Sequence, residues 1–202
     1  MTDINYPLYL ASRSPRRGEL LTQIGVRFAL VAAEVDETPH AGESPEAYVR
    51  RVAIDKARAG RSGVSPDDPR PVLAADTAVV LDDEILGKPL DCPDFLRMMA
   101  RLSGRTHRVL TGVALSFADA LWYELSVSQV RFRDIEAHER LAYWASGEPH
   151  DKAGGYGIQG LGALFVADLQ GSYSGVMGLP LYETGRLLHR VGIALLAGDS
   201  EP

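Results

Sequence analysis

"VLAADTAVVL", residues 72–81, reads as a buried β-strand with an acid in its middle. Side chains alternate faces along a strand, so Val72, Ala74, Asp76, Ala78 and Val80 share one side, and Leu73, Ala75, Thr77, Val79 and Leu81 the other. Asp76 then stands in an otherwise apolar row. A buried ionised carboxylate without partners is too costly to persist, so it must be paired, protonated or bound to a metal. The alternative is a strand that stops early, with Asp76 bracing a turn. Because the run continues through Leu81, a functional carboxylate is the better reading.

Outward from this run, apolar segments of strand length alternate with segments of helical period, which predicts an α/β fold. Strands are expected near 6–12, 27–33, 71–81, 107–117, 121–132 and 161–169, and helices near 15–24, 45–61, 92–103, 135–146 and 180–192. Ser14-Pro15 and Ser44-Pro45 each place an N-cap before a proline at the first helical position. Gly25, Gly104 and Gly147 fall where a left-handed residue ends a helix. The stretch 62–70 is a polar connection, and 198–202 reads as a frayed tail.

The chain has 202 residues, 46% of them hydrophobic, enough for one good core and with no need of a second domain. A single domain over 1–202, folded into two lobes, is therefore expected. The formal charge of −6 argues against a sequence-independent nucleic-acid binder, whose phosphate contacts need a basic face. One cysteine, Cys92, gives neither a disulfide framework nor a zinc-ligand spacing, which fits a reducing cytoplasm. The N-terminal segment lacks the pattern of a signal peptide or membrane span. The oligomeric state is open, a homodimer included.

"LYLASRSPRRGELL", residues 8–21, runs from a strand into a helix whose first turn carries Arg16 and Arg17. Unsatisfied N–H groups and the helix dipole already disfavour cations there, by about 0.3–1 kcal/mol per charge. Two arginines in that turn make sense if an anion sits beside it, where Ser12, Ser14 and the free N–H groups converge as in phosphate sites. On the helix after Ser44, the stripe Val49, Val52, Ala53, Lys56 and Ala57 points Lys56 inward. Such a lysine by itself usually snorkels to water, but beside an anion site it is a compact counter-charge.

"LGKPLD", 86–91, is not a Walker loop, since Asp82 replaces the first glycine and Pro89 the Ser/Thr; Lys88 can still face a phosphate from a rigid turn. "DKAGGYGIQG", 151–160, holds four glycines, as a connection or a backbone laid against a ligand would, and Gln159 offers a carboxamide suited to a base edge. In "AAEVDET" Glu34 can reach the end of the sheet that bears Asp76, whereas Asp36 and Glu37 read as solvated loop acids. Magnesium is typically held by one or two carboxylates plus substrate phosphates.

"LYLASRSPRRGELL", "AADTAVVLDDEILGKP" and "DKAGGYGIQGLGALFVADLQGSYSGVMGLP", in that order, resemble the Maf family of nucleoside triphosphate pyrophosphatases over nearly the whole chain. The "GGYGIQG" loop is similar in particular to the branch acting on dTTP and UTP, and unlike the branch acting on 7-methyl-GTP. The resemblance implies an inosine-triphosphate-pyrophosphatase-like fold, with a long mixed sheet and helices forming two lobes around a cleft. It also implies cleavage of a nucleoside triphosphate to the monophosphate and pyrophosphate, with a divalent cation, Mg2+ or Mn2+, as cofactor. By position, Asp76 matches the family's proton acceptor, and Arg17, Thr77 and Gln159 match positions linked to substrate choice. Ser12, Ser14, Arg16, Glu34, Lys56 and Lys88 match its polar pocket. Gly175 departs from the Asn or Ala expected there.

The expected arrangement lays the triphosphate over the 14–17 turn against Arg16, Lys56 and Lys88, with metal held by Glu34 and Asp76. Asp76 takes the proton of a water attacking the α-phosphorus, and Gln159 reads the base. Thr77, on the opposite face of a regular strand, needs a twist or bulge to take part. Two rivals are a nucleotide-binding regulator of cell division without turnover, and an RNA-binding module. The second is disfavoured by the charge and by the absence of a basic-aromatic strand pattern.

Overall fold

The computed structural model describes residues 6–196, in the order β1 (Leu8–Ala11), α1 (Pro15–Gln23), β2 (Phe28–Leu30), α2 (Pro45–Ser62), β3 (Val72–Leu81), β4 (Glu84–Leu86), α3 (Cys92–Leu102), β5 (Thr106–Phe117), β6 (Ala120–Phe132), α4 (Ala137–Ala145), β7 (Val166–Gln170), α5 (Tyr173–Met177) and α6 (Leu181–Arg190). Three 3-10 turns, Glu148–Asp151, Ala153–Gly155 and Leu161–Phe165, lie between α4 and β7. The tail expected at 198–202 lies outside the described residues.

The strands form one mixed seven-stranded sheet in the order β2-β1-β3-β5-β6-β7, with β4 also on β3. β1 is parallel to β2 and β3, and the remaining pairs are antiparallel. β5 runs along one edge of β3 from Val72 to Val80 without a break in register. The other edge is shared. β1 pairs with it only as far as Ala74, and β4 takes over only at Val79, so residues 75–78 have no strand beside them on that side.

Both faces of β3 are buried, as an apolar run without strict alternation predicts. On one face α2 lays Ala53 and Ala57 against Val72 and Ala74, and Tyr48, Val49 and Val52 against Ala78 and Val80. Leu73, Ala75, Val79 and Leu81 point into the larger core with Phe95, Met99, Val113 and Leu188. Gly60 lets α2 come this close, since a Cβ there would lie 2.8 Å from the Ala11 Cβ and 2.9 Å from Val72 Cγ1.

Capping explains most element ends. The Ser44 hydroxyl accepts from the Ala47 N–H, and the Asp91 carboxylate from the Asp94 N–H, opening α2 and α3. Gly25, Gly104 and Gly147 all take positive φ, as their places after helices require. Ser14, unlike Ser44, makes no side-chain cap bond to its helix, α1. Asp82 and Asp83 form the β3–β4 turn with left-handed backbones, a conformation that Asp tolerates.

The strand expected at 161–169 is instead a 3-10 turn followed by β7, and β2 is shorter than 27–33. The turn exists because the Leu161 and Gly162 N–H groups bond the Glu148 carboxylate, which draws the backbone out of extended form. β4 and α5, 3 and 5 residues long, carry too little periodic signal to be read from sequence. Among the described residues no helix is long and apolar enough to cross a membrane. Replacing Gly60 with valine forces side-chain volume into the α2–β3 contact and is expected to lower stability by about 1–3 kcal/mol, read as an earlier urea midpoint.

Candidate active site

A cleft of about 600 Å³ opens on the uncovered edge of β3. The turn between β1 and α1 supplies Ser12 and Ser14, the first turn of α1 Arg16 and Arg17, the segment after β2 Glu34 and Glu37, and α2 Lys56. Asp76 and Thr77 come from β3, Lys88 follows β4, and the glycine-rich loop adds Asp151, Lys152 and Gln159.

Asp76 is 5% exposed and lies in the apolar interface between β3 and α2. Its Oδ1 accepts from Lys56 Nζ at 2.8 Å, while Oδ2 is buried and has no hydrogen-bond partner within the protein. Lys56 Nζ also reaches Glu37 Oε1 at 2.8 Å, so one ammonium joins two carboxylates. Burial pushes the Glu37 carboxyl up, but the Lys56 hydrogen bond and the charges of Lys56, Lys88 and Arg17 outweigh it and hold it below the ordinary glutamate range. The Glu37 segment has no regular structure. Tyr48 holds its carbonyl at 3.0 Å, and the Arg51 guanidinium bonds the carbonyls of Asp36 and Thr38 and the Glu43 carboxylate.

Arg17 joins three segments. Its Nε donates to the Gly178 carbonyl at 2.8 Å, Nη1 to Ser12 Oγ at 3.2 Å and Nη2 to Thr77 Oγ1 at 3.4 Å. Burial pushes its guanidinium below the usual arginine value, and the nearby Asp76 charge acts against that shift. Gly178, at φ 118°, turns its carbonyl toward this cation. Ser12 also accepts from the Ser14 N–H at 3.1 Å, so the turn is braced by a side chain one step before the helix. With Ser14 making no cap bond, the first-turn N–H groups of α1 stay open to an anion.

The glycine-rich loop is pinned from behind. The Glu148 carboxylate accepts from the Tyr143 hydroxyl at 2.7 Å, the Leu161 N–H at 2.8 Å and the Gly162 N–H at 3.1 Å, while Tyr143 accepts from the Gly157 N–H at 3.0 Å. Gly154, at φ 70°, lies so close to Val79 that a Cβ would be 2.8 Å from its methyl groups, and its N–H bonds the Gly87 carbonyl beside Lys88. Gln159, at the tip, is exposed at the cleft rim.

The model of the Maf-like protein family matches residues 7–191. The chain belongs to the Maf family. Among its relatives, a protein of Methylococcus capsulatus named dTTP/UTP pyrophosphatase is 58% identical over 194 residues, covering 95% of each chain. One of Alkalilimnicola ehrlichii with the same name is 56% identical over 184 residues, 90% of this chain and 91% of its own. A third, of Aromatoleum aromaticum, also so named, is 51% identical over 206 residues, 96% of this chain and 100% of its own.

In this Maf chain the ten residues singled out in the sequence all line one cleft, but three of them behave differently from expectation. Lys56 does not snorkel, because two carboxylates meet it inside. Thr77 reaches the cleft with no bulge, since the open edge at 75–78 lets side chains of both faces border the same space. Glu34 pairs with Arg13 at the surface, its side chain 79% exposed, while the loop acid read as solvated, Glu37, takes the inner place. Glu37, Asp151 and Lys152 are cleft residues that sequence reasoning missed. For Glu37 the available signal was the Arg51 and Tyr48 braces on the inner turns of α2, whose aim only the fold reveals. At the departure noted for Gly175, a Cβ would be 3.1 Å from Ser172 Cβ and 3.3 Å from Ser126 Oγ, so the absent side chain suits the tight seating of α5 on β6.

Among the described residues no three His, Cys, Asp or Glu side chains form a ready-made metal site. The unpartnered Asp76 Oδ2 and the Glu37 carboxylate nonetheless fit a hard divalent ion that takes its other ligands from substrate phosphates.

Beneath the glycine-rich loop, His107 Nε2 and the Tyr156 hydroxyl are 2.8 Å apart, and burial lowers the imidazole pKa from 6.5 to about 4. The folded state therefore holds His107 neutral where the unfolded chain would protonate it, a contribution fully present above pH 6.5 and lost as pH falls toward 4. His107→Phe should remove this component, on the order of 3 kcal/mol, from the slope of stability against pH in that window, measured by urea unfolding at a series of pH values.

Proposed function

We propose that this Maf-family chain hydrolyses dTTP and UTP to the nucleoside monophosphate and pyrophosphate. The observation that carries the reading is Asp76, a residue lining a cleft rich in cations, whose Oδ2 is a buried carboxylate oxygen with no protein partner. The names of the relatives support the same substrates. Arg16, Lys88 and the open N–H groups of α1 bind the triphosphate oxygens and stabilise charge as the bond breaks. Lys56 fixes Asp76 through Oδ1, which leaves Oδ2 to orient a water and take its proton as the water attacks the α-phosphorus. Pyrophosphate leaves. Arg17, Thr77 and Gln159 border the nucleoside and set its choice. Asp76 and Glu37 would hold a divalent cation, Mg2+ or Mn2+, whose charge neutralises the phosphates and polarises them. The second carboxylate shifts from Glu34 to Glu37 because Glu34 is turned outward to Arg13 while Glu37 shares Lys56 with Asp76. The setting is a cytoplasmic nucleotide pool, in keeping with a lone cysteine.

Two measurements test this. Asp76→Asn keeps the shape and removes the base, so pyrophosphate release from dTTP should fall by about 10²–10⁴-fold, and turnover within a few-fold of the parent would sink the assignment. Orthophosphate as the first product would mean γ-phosphate cleavage, and triphosphate bound but recovered intact would mean a sensor. Binding of Mn2+ in the presence of a non-hydrolysable dTTP analogue, followed by electron paramagnetic resonance, should weaken by about tenfold or more in Glu37→Gln and little in Glu34→Gln.

A further inference from the structure

Thr77 and Thr111 stand opposite each other on β3 and β5, with hydroxyl oxygens 3.0 Å apart. Thr111 is 1% exposed and its oxygen also lies 2.8 Å from the Gly175 carbonyl of α5. A hydroxyl has a single proton. A carbonyl oxygen accepts only, so the Thr111 proton must point at Gly175; otherwise two lone-pair atoms would face each other at 2.8 Å with nothing between them. The same argument then applies to the other contact: with the Thr111 proton spent, the proton in the 3.0 Å contact comes from Thr77. The relay runs Thr77 to Thr111 to the Gly175 carbonyl. Arg17 Nη2, which can only donate, approaches Thr77 from the remaining side at 3.4 Å, as a lone pair there requires.

We propose that Thr111, which touches no substrate, is a specificity-positioning residue: it fixes Thr77 as a pure hydrogen-bond acceptor, so that the group of the nucleotide meeting Thr77 must be a donor. The inference rests on the pyrophosphatase reading above and deepens it. Two donors on dTTP have this chemistry, the imide N–H of the base and the sugar 3′-hydroxyl. A cytosine ring presents a lone pair where thymine and uracil have the imide proton, so an acceptor-only Thr77 on the base edge selects against it. A site with a fixed partner rejects the analogue that cannot satisfy it far more strongly than one whose hydroxyl can turn.

The test compares kcat/KM for dTTP, N3-methyl-dTTP, 3′-deoxy-TTP and dCTP in the parent, Thr111→Val and Thr111→Ser. The parent is expected to lose about 100-fold on one of the two donor-lacking analogues, which identifies the donor. Thr111→Val frees the Thr77 proton to turn into the cleft and should shrink that penalty by about tenfold, and Thr111→Ser, which keeps the relay, should restore it. Should Thr111→Val prove unfolded by thermal melting, Thr111→Ala takes its place with the same ratios read. A purely structural Thr111 would lower all four substrates together. Equal ratios in parent and valine variant, a parent indifferent to both analogues, or a serine variant that fails to restore the ratio each overturn the proposal. Absence of pyrophosphate release from dTTP by the parent would instead overturn the underlying function.

Discussion

The contact between Lys56 Nζ and Asp76 Oδ1 settles how an acid can stand in the middle of a buried strand. Apolar side chains surround it on both elements, with Val52, Ala53 and Ala57 on α2 and Ala74 and Ala78 on β3. In such surroundings a carboxylate deprived of its lysine costs about 3–5 kcal/mol, so helix and strand are bound to a single mutual register by charge as well as by shape. The satisfaction is partial. One oxygen is engaged, the other is not, and a second carboxylate, Glu37, shares the same ammonium. Two acids around one lysine leave the group with more carboxylates than ammonium groups to meet them.

Around this pair, the cations take distinct duties. Arg17 is committed to the protein by all three of its nitrogens, to the Gly178 carbonyl, Ser12 and Thr77. It fastens together α1, the residue that ends α5, and β3. Lys88, by contrast, is exposed at the cleft margin. A braced guanidinium and an exposed ammonium thus border the same cleft, and a group already held by the protein has less ordering left to lose when a partner arrives.

Much of the fold was legible because the signals were long and local. β3, α2 and α3 were expected at nearly their observed limits, since an apolar run, a proline after a cap residue and a helical stripe each act within a few residues. β4, α5 and the turn at 161–165 were not, because they owe their form to partners distant in sequence, such as Glu148 for the backbone of Leu161 and Gly162. The same divide runs through the cleft. Asp76, Lys56 and the arginine turn announce themselves by residue types that conflict with their surroundings. Glu37 does not, for it sits in an acidic loop and gains its place only through Tyr48 and Arg51. Thr77 does face away from Asp76 on a regular strand, as the alternation predicts; the interruption of the sheet at 75–78, which lets both faces border one cleft, had no local signal.

That interruption has a consequence for solubility. An uncovered strand edge is a template for pairing with another chain, and proteins ordinarily blunt it with charge, brevity or cover. Here the uncovered stretch spans only residues 75–78, ends against β1 on one side and β4 on the other, and lies at the bottom of a charged recess. A foreign strand finds too few backbone groups to grip and no room to lie alongside. The gap in the sheet is thereby closed to strand addition even though no strand covers it.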